Sequence, residues 1–141
     1  MALFDHVAVP IASDDDAVTT AAALRPYLDA IDRVTAVHVI EKGGGAIDKA
    51  PMEQRRADAT EFLDPFETEL GGAVPVETRI AFGTDVAETI VEAATAADAT
   101  AIAFRPRGGS RIVRLLTGDT ATQLVTDPEL PVISLPNPTE D

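Results

Sequence analysis

Five short apolar runs rich in β-branched residues are separated along this chain by longer helix-like stretches, and that alternation constrains the fold more than any other feature. Phe4 to Pro10 (FDHVAVP) reads as a buried strand closed by Pro10. Ser13 or Asp14 caps the helix that follows, and the remaining acids of Asp14-Asp15-Asp16 favour its positive amino end. That helix is expected to run through the alanines to about Ala30, with Pro26 as a kink or early stop. Val34 to Ile40 (VTAVHVI) is the second strand. After Gly43-Gly44-Gly45, a charged helix is expected from Pro51 to Leu70, disturbed by Pro65 and ended by Gly71-Gly72. Val74 to Phe82 (VPVETRIAF) is the third strand, and Pro75 marks an edge or the strand's first residues. Gly83-Thr84-Asp85 breaks the chain and caps a helix from Val86 to Ala97, with an apolar stripe of Val86, Ile90 and Val91. Thr100 to Phe104 (TAIAF) and Pro131 to Leu135 (PVISL) are the last two strands, with a helix from about Asp119 to Thr126 between them. Asn137 to Asp141 is a polar tail that need not be ordered.

Strands alternating with helices imply right-handed crossovers and a parallel sheet covered on both faces, within one α/β domain spanning residues 1–141. In such sheets ligands bind beyond the carboxyl ends of the strands, near the point where strand order reverses. The loops after Pro10, Ile40 and Phe104 are therefore the candidate site.

One of those loops is unusual. Arg105, Arg107, Arg111 and Arg114 crowd around Gly108-Gly109 in a chain whose formal net charge is -13. Planar guanidinium forks suit phosphate, and backbone N–H groups at glycines and a helix start add dipoles aimed the same way. The alternative is that Arg111 and Arg114 bridge to carboxylates on a solvated face. The wider charge pattern excludes other partners. Asp and Glu number 24 against 11 Lys and Arg, with Lys42 and Lys49 the only lysines. Such a field repels nucleic acid and anionic lipid, and it suits a halophilic cytoplasm whose salt relieves self-repulsion. Absence of cysteine removes disulfides, thiol catalysis and thiolate metal sites. No apolar run is long enough to span a bilayer and no secretion signal is visible, so a soluble, cytoplasmic protein without membrane insertion is expected.

This order of elements resembles the universal stress protein family along essentially the whole chain. VAVPIAS resembles its first strand and turn, VTAVHVIE its second strand with the ending His38 to Glu41, and GTDVAETIVEAATAADATAIAF its third helix and fourth strand. RPRGGSRIVRLLTGDTATQLVTDPELPVISLP resembles its glycine-rich phosphate loop, short helix and closing strand. The resemblance implies a Rossmann-like three-layer sandwich of the adenine-nucleotide alpha-hydrolase kind, with a five-stranded parallel sheet in the order 3-2-1-4-5. It also implies a homodimer joined through the last strand, at Val132, Ile133, Ser134 and Leu135, which fits the apolar character of that edge.

Members of the family divide into those that bind ATP and those that do not. The binding signature is Gly, two residues, Gly, nine residues, Gly, then Ser or Thr. On this chain it falls on Arg105, Gly108, Gly118 and Asp119, so the inner glycines are kept and both outer positions differ. Arg105 closes the space a glycine leaves for phosphate while offering a cation, and an ionised Asp119 repels phosphate where a hydroxyl would donate. Thr120 offers a hydroxyl one residue later. The first loop differs too: nucleotide-binding members carry Asp two residues after the strand-ending proline, and here Pro10 is followed by Ile11 and Ala12.

Two functions follow from different classes. In one, a stress-response dimer does not bind ATP in the usual way and acts through protein partners, with its pocket filled by Arg105 bridged to Asp119. In the other, ATP or AMP with Mg binds as a regulatory signal. Its adenine then lies by Pro10, Ile11, Ala12, Val39 and Phe104. Its phosphates lie on Arg105, Arg107, Gly108, Gly109 and Gly118, near Asp119 and Thr120. No acid–base or nucleophile constellation is visible, so an enzyme is not expected, or at most weak nucleotide hydrolysis. His6 and His38 read as core or strand-end histidines, and Asp14-Asp15-Asp16 as a solvated, helix-capping run rather than a cation site. Ser110 lies in no nucleophile pattern, Gly43-Gly44-Gly45 is a loop or a lid, and Leu115-Leu116 is packing.

Overall fold

The computed structural model describes residues 3–11, 14–41, 51–105 and 130–136. Its elements in chain order are β1 (His6–Pro10), α1 (Asp14–Leu24), a 3-10 helix (Arg25–Ala30), β2 (Arg33–Glu41), α2 (Pro51–Leu70), β3 (Val76–Gly83), α3 (Val86–Ala96), β4 (Ala101–Phe104) and β5 (Val132–Ser134). The strands form a single sheet in the order β3-β2-β1-β4-β5, and every pairing in it is parallel.

Alternating side chains divide that sheet between two cores. Val7 and Val9 from the first strand and Ile11 just past it, with Val34, Ala36 and Ala103, face α1 and α2, where Leu24, Leu63, Phe66 and Leu70 meet them. Ala8 and Ile102 face the other way, onto Ala87, Ile90 and Ala94 of α3. The small Ala8 lets α3 lie close, and the stripe of α3 is built from Ala87, Thr89, Ile90, Ala93 and Ala94, with Val86 and Val91 only half-buried at its margin.

Local chemistry sets the boundaries. Pro26 ends the α-helical part of the first crossover: α1 gives way to the 3-10 helix, and the proline stands at the latter's first positions, where a missing N–H costs nothing. The second crossover helix keeps the bounds expected for it, with Pro65 inside. Helix α2 continues through it from Pro51 to Leu70. The buried side chains of Leu63, Phe66 and Leu70 on either side anchor the helix to the sheet, and that packing offsets the lost hydrogen bond. Asp85 caps α3 by accepting from the Glu88 N–H at 3.0 Å. The same helix ends in a Schellman motif, with Ala99 N–H on the Ala94 carbonyl at 2.9 Å and Asp98 N–H on that of Thr95 at 3.0 Å. Asp98 takes the left-handed position there, at φ 65°. Among the described residues no helix is long and apolar enough to cross a membrane.

Candidate functional site

With the order β3-β2-β1-β4-β5 the chain leaves β1 towards one edge of the sheet and later returns to β4 on β1's other side. The carboxyl ends of β1 and β4 therefore flank the crevice where parallel α/β sheets place their ligands. Past β1 the ladder runs on for one more residue, with Ile11 N–H on the Val37 carbonyl at 2.8 Å. The first turn of α1 also stands at the crevice.

Arg105 is the first residue after β4, and by strand alternation its side chain follows Ala101 and Ala103 towards α1. There its Nη2 donates to Asp16 Oδ1 at 2.9 Å, and the two side chains are only 11% and 8% exposed. Thr20, one turn further along α1, donates its hydroxyl to the same Oδ1 at 3.2 Å. The amino end of α1 adds a favourable dipole for that carboxylate. Asp16 is thus buried and ion-paired, which corrects the reading of the whole acidic run as solvated; Asp15 is exposed as expected. Arg105 thus meets Asp16, and its expected bridge to Asp119 lies outside the described residues.

The neighbouring strand ends are closed by rings. His38 donates its Nδ1–H to the Ile11 carbonyl at 2.8 Å, and its ring stands edge-on to Phe62 of α2 with centroids 5.3 Å apart. Arg56 lies over the Phe82 ring, its guanidinium carbon 4.9 Å from the centroid. These contacts pin the α2 side of the sheet to the ends of β2 and β3. The sequence reading did not find them, because they join residues from different elements.

The expected site residues fall on both faces. Ile11 is buried in the α1–α2 core, on the side to which Arg105 points. Val39 packs on the α3 core, and Phe104, buried and in step with Ile102, faces that side too. Pro10 is half-buried at the end of β1. Ala12, Arg107, Gly108, Gly109, Gly118 and Thr120 lie outside the described residues, as do Ser13, Gly43-Gly44-Gly45, Ser110, Arg111, Arg114, Leu115-Leu116 and the helix expected over 119–126. An apolar cavity of about 160 Å³ opens elsewhere, between α1 and β5, lined among others by Val7, Leu24, Tyr27, Ala103, Ile133 and Leu135.

At the opposite, amino end of the sheet, His6 is buried and its Nε2 lies 2.7 Å from Thr35 Oγ1. Thr35 Oγ1 is a longer 3.5 Å from Glu77 Oε1, and a hydroxyl that turns its proton there accepts from Nε2–H of the neutral ring. Burial, and then the Arg33 charge, lowers the pKa of His6, against smaller raising effects of the Asp98 backbone, Glu77 and the Asp98 carboxylate. Among the described residues no group of three or more His, Asp or Glu side chains is placed to hold a metal ion.

The model of the universal stress protein family matches residues 3–136. Among solved structures, a universal stress protein family member from Burkholderia pseudomallei is 21% identical, with 99% of each chain covered and a TM-score of 0.71. A family protein from Arabidopsis thaliana with AMP bound is 16% identical over 94% of this chain and 92% of that one, at TM-score 0.65. A universal stress protein in complex with cAMP is 17% identical over 95% and 98%, at TM-score 0.59. No curated protein matches the chain. At such identities the structures establish the Rossmann-like fold, and the family model goes further: the chain belongs to the universal stress protein family.

Proposed function

We propose that this protein is a stress-response regulator whose nucleotide cleft is closed from within, and that it acts through protein contacts as a homodimer rather than by binding ATP in the usual way. The Arg105–Asp16 pair carries this reading. It sits at the switch point of the sheet, it is buried, and it uses the residue that stands at the first glycine of the family's nucleotide signature. The changed Asp119 and the missing acid after Pro10 point the same way. The dimer reading rests on β5, an edge strand with half-buried Val132 and Ile133 and the apolar cavity beside it. Leu135 is buried in its own chain's core, and Val132 and Ile133 pack at the margins of the two cores, so the edge for a second copy is the partly exposed strand from Val132 to Ser134. A halophilic cytoplasm is the setting that the net charge of -13 fits best.

A second reading has support of its own, since two relatives are described with AMP or cAMP bound. In it ATP or AMP, with Mg, lies with its base by Pro10 to Ala12 and Val39 and its phosphates over Gly108-Gly109, Arg105, Arg107 and Gly118. The test is to purify the protein in high salt, denature it, and identify any released nucleotide by chromatography with mass detection. The chain has one Tyr and no Trp, so bound adenine would dominate its near-ultraviolet absorbance. The closed-cleft reading expects an empty protein with no thermal shift on adding Mg-ATP. Adenine nucleotide near one per chain overturns it. Light scattering after size exclusion decides the dimer, and charged substitutions at Val132 and Ile133 are expected to give monomers.

A further inference from the structure

We propose that Asp16 is the specificity-determining residue of the switch-point crevice: its carboxylate holds in cis the place on Arg105 that an oxyanion of the phosphate class would take. This rests on the closed-cleft reading and says what keeps the cleft closed.

The donor set belongs to an oxyanion site. Asp16 Oδ1 receives Arg105 Nη2 at 2.9 Å and the Thr20 hydroxyl at 3.2 Å, within the first turn of α1. A guanidinium, a hydroxyl and a helix amino end together are what protein phosphate sites offer. The place is also where a parallel sheet of this order binds ligands. What occupies it is a side chain of the protein itself, 8% exposed. Stability alone explains such a pair poorly, because well-packed apolar residues usually do as well as a buried ion pair. A second anion brought to the same guanidinium meets the Asp16 charge at close range, so an entering phosphate must displace the carboxylate. Neutralising Asp16 removes that competitor and leaves its donors in position.

The experiment is titration calorimetry at constant ionic strength, with inorganic pyrophosphate and Mg-ATP as probes and sulfate as the control anion. The proteins are the wild type, Asp16→Asn, Asp16→Glu and the double variant Asp16→Asn with Arg105→Gln. Asp16→Asn is expected to bind pyrophosphate at least about tenfold more tightly than the wild type, the return from one charge-assisted contact. Asp16→Glu should stay with the wild type, and the double variant should lose the gain. If Mg-ATP and pyrophosphate bind Asp16→Asn alike, the site takes a free oxyanion; if Mg-ATP binds far more tightly, the base contributes and the source is a nucleotide. Both support the role of Asp16. Equal affinity of Asp16→Asn and wild type overturns it, as does a gain that survives in the double variant. Wild type that already binds Mg-ATP overturns the closed-cleft reading, while the ratio between the two proteins still decides Asp16. Should Asp16→Asn be unfolded in buffer, the smaller Asp16→Ser is used and binding is read as pyrophosphate-dependent recovery of helical circular dichroism. No recovery in either variant overturns the proposal.

Discussion

Among the described residues two ion pairs share the same length, and their different burial makes a sharp prediction. Arg105–Asp16 and Arg25–Glu69 are both 2.9 Å, but the side chains are 11% and 8% exposed in the first and 49% and 43% in the second. Replacing Arg25 or Glu69 by Ala should cost about 0–1 kcal/mol, because water screens the pair and two long side chains lose freedom in making it. Asp16→Ala is a different perturbation. It leaves a buried guanidinium without that counter-charge and removes the acceptor of the Thr20 hydroxyl, so the expected cost is about 3–5 kcal/mol. Removing both charges together, as Asp16→Leu with Arg105→Met, should come back to within about 1–2 kcal/mol of the wild type, since the desolvation penalty disappears with the pair.

Urea unfolding followed by circular dichroism measures all of this without adding ions. Each single replacement in the Asp16–Arg105 pair should cost about 3–5 kcal/mol and the double about 1–2 kcal/mol, so the cycle should give a coupling of about 4 kcal/mol or more, against less than about 0.5 kcal/mol for Arg25 and Glu69. Raising the salt from about 0.1 M to 1 M shortens the screening length from about 10 Å to about 3 Å, which should abolish the surface coupling and leave most of the buried one. Equal couplings in the two cycles, or an Asp16→Ala cost below about 1 kcal/mol, would refute the argument that burial decides the worth of these pairs.

Three further outcomes follow from other parts of the fold. His6 has its pKa lowered from 6.5 chiefly by burial, so the unfolded chain takes up the proton first as pH falls. The stability carried by the neutral ring should be complete above about 6.5 and be lost as pH drops from there through the folded-state value. His6→Gln should remove that step, and unchanged pH slopes of the urea midpoint would contradict it. Asp98, at φ 65° in the Schellman motif, should be stabilised by about 0.5–1 kcal/mol on change to Gly and destabilised by about 1–2 kcal/mol on change to Val, both read from thermal midpoints. A Cβ at Gly83 would overlap the Thr89 side chain, which is buried and held by its hydroxyl's bond to the Asp85 carbonyl at 2.7 Å. Gly83→Ala should therefore cost about 1–3 kcal/mol, and adding Thr89→Ala should restore part of it; simple additivity of the two losses would exclude the clash.

Most of the fold could be read from one dimension because its signals are local. Runs such as VTAVHVI report burial on both faces, Pro10 and Gly71-Gly72 stop elements, and Asp85 caps the helix that the sequence assigns to it. The helix expected from Pro51 to Leu70 runs through Pro65, whose local cost is met by packing at Leu63, Phe66 and Leu70 that only the tertiary fold supplies. The site was less legible for the same reason. Asp15 and Asp16 look alike in sequence, and that Asp16 rather than Asp15 turns inward is set by the pitch of α1 and by the direction of a side chain 89 positions away. A signal was present all the same. Ala101, Ala103 and Arg105 alternate with Ile102 and Phe104, so Arg105 had to emerge on the side of α1 once the crossovers were assigned.

That alternation bears on what the cleft of this protein is for. An anion approaching a chain of net charge -13 is repelled at long range, so a phosphate site here needs fixed cations at short range to be worth occupying. Arg105 stands where such a cation belongs, and its charge is met by Asp16 before any ligand arrives. The long-range field and the local pair thus act in the same direction, against a bound phosphate. If the cleft were an ordinary nucleotide site, the cheapest residue beside Arg105 would be a neutral one, since a carboxylate there weakens every anion that enters. A carboxylate held by both the arginine and Thr20 makes sense when the crevice is to stay closed, or to open only on a change that disengages Asp16. On the proposed reading a partner would instead meet the β5 edge of the described sheet, where Val132 and Ile133 are half-buried.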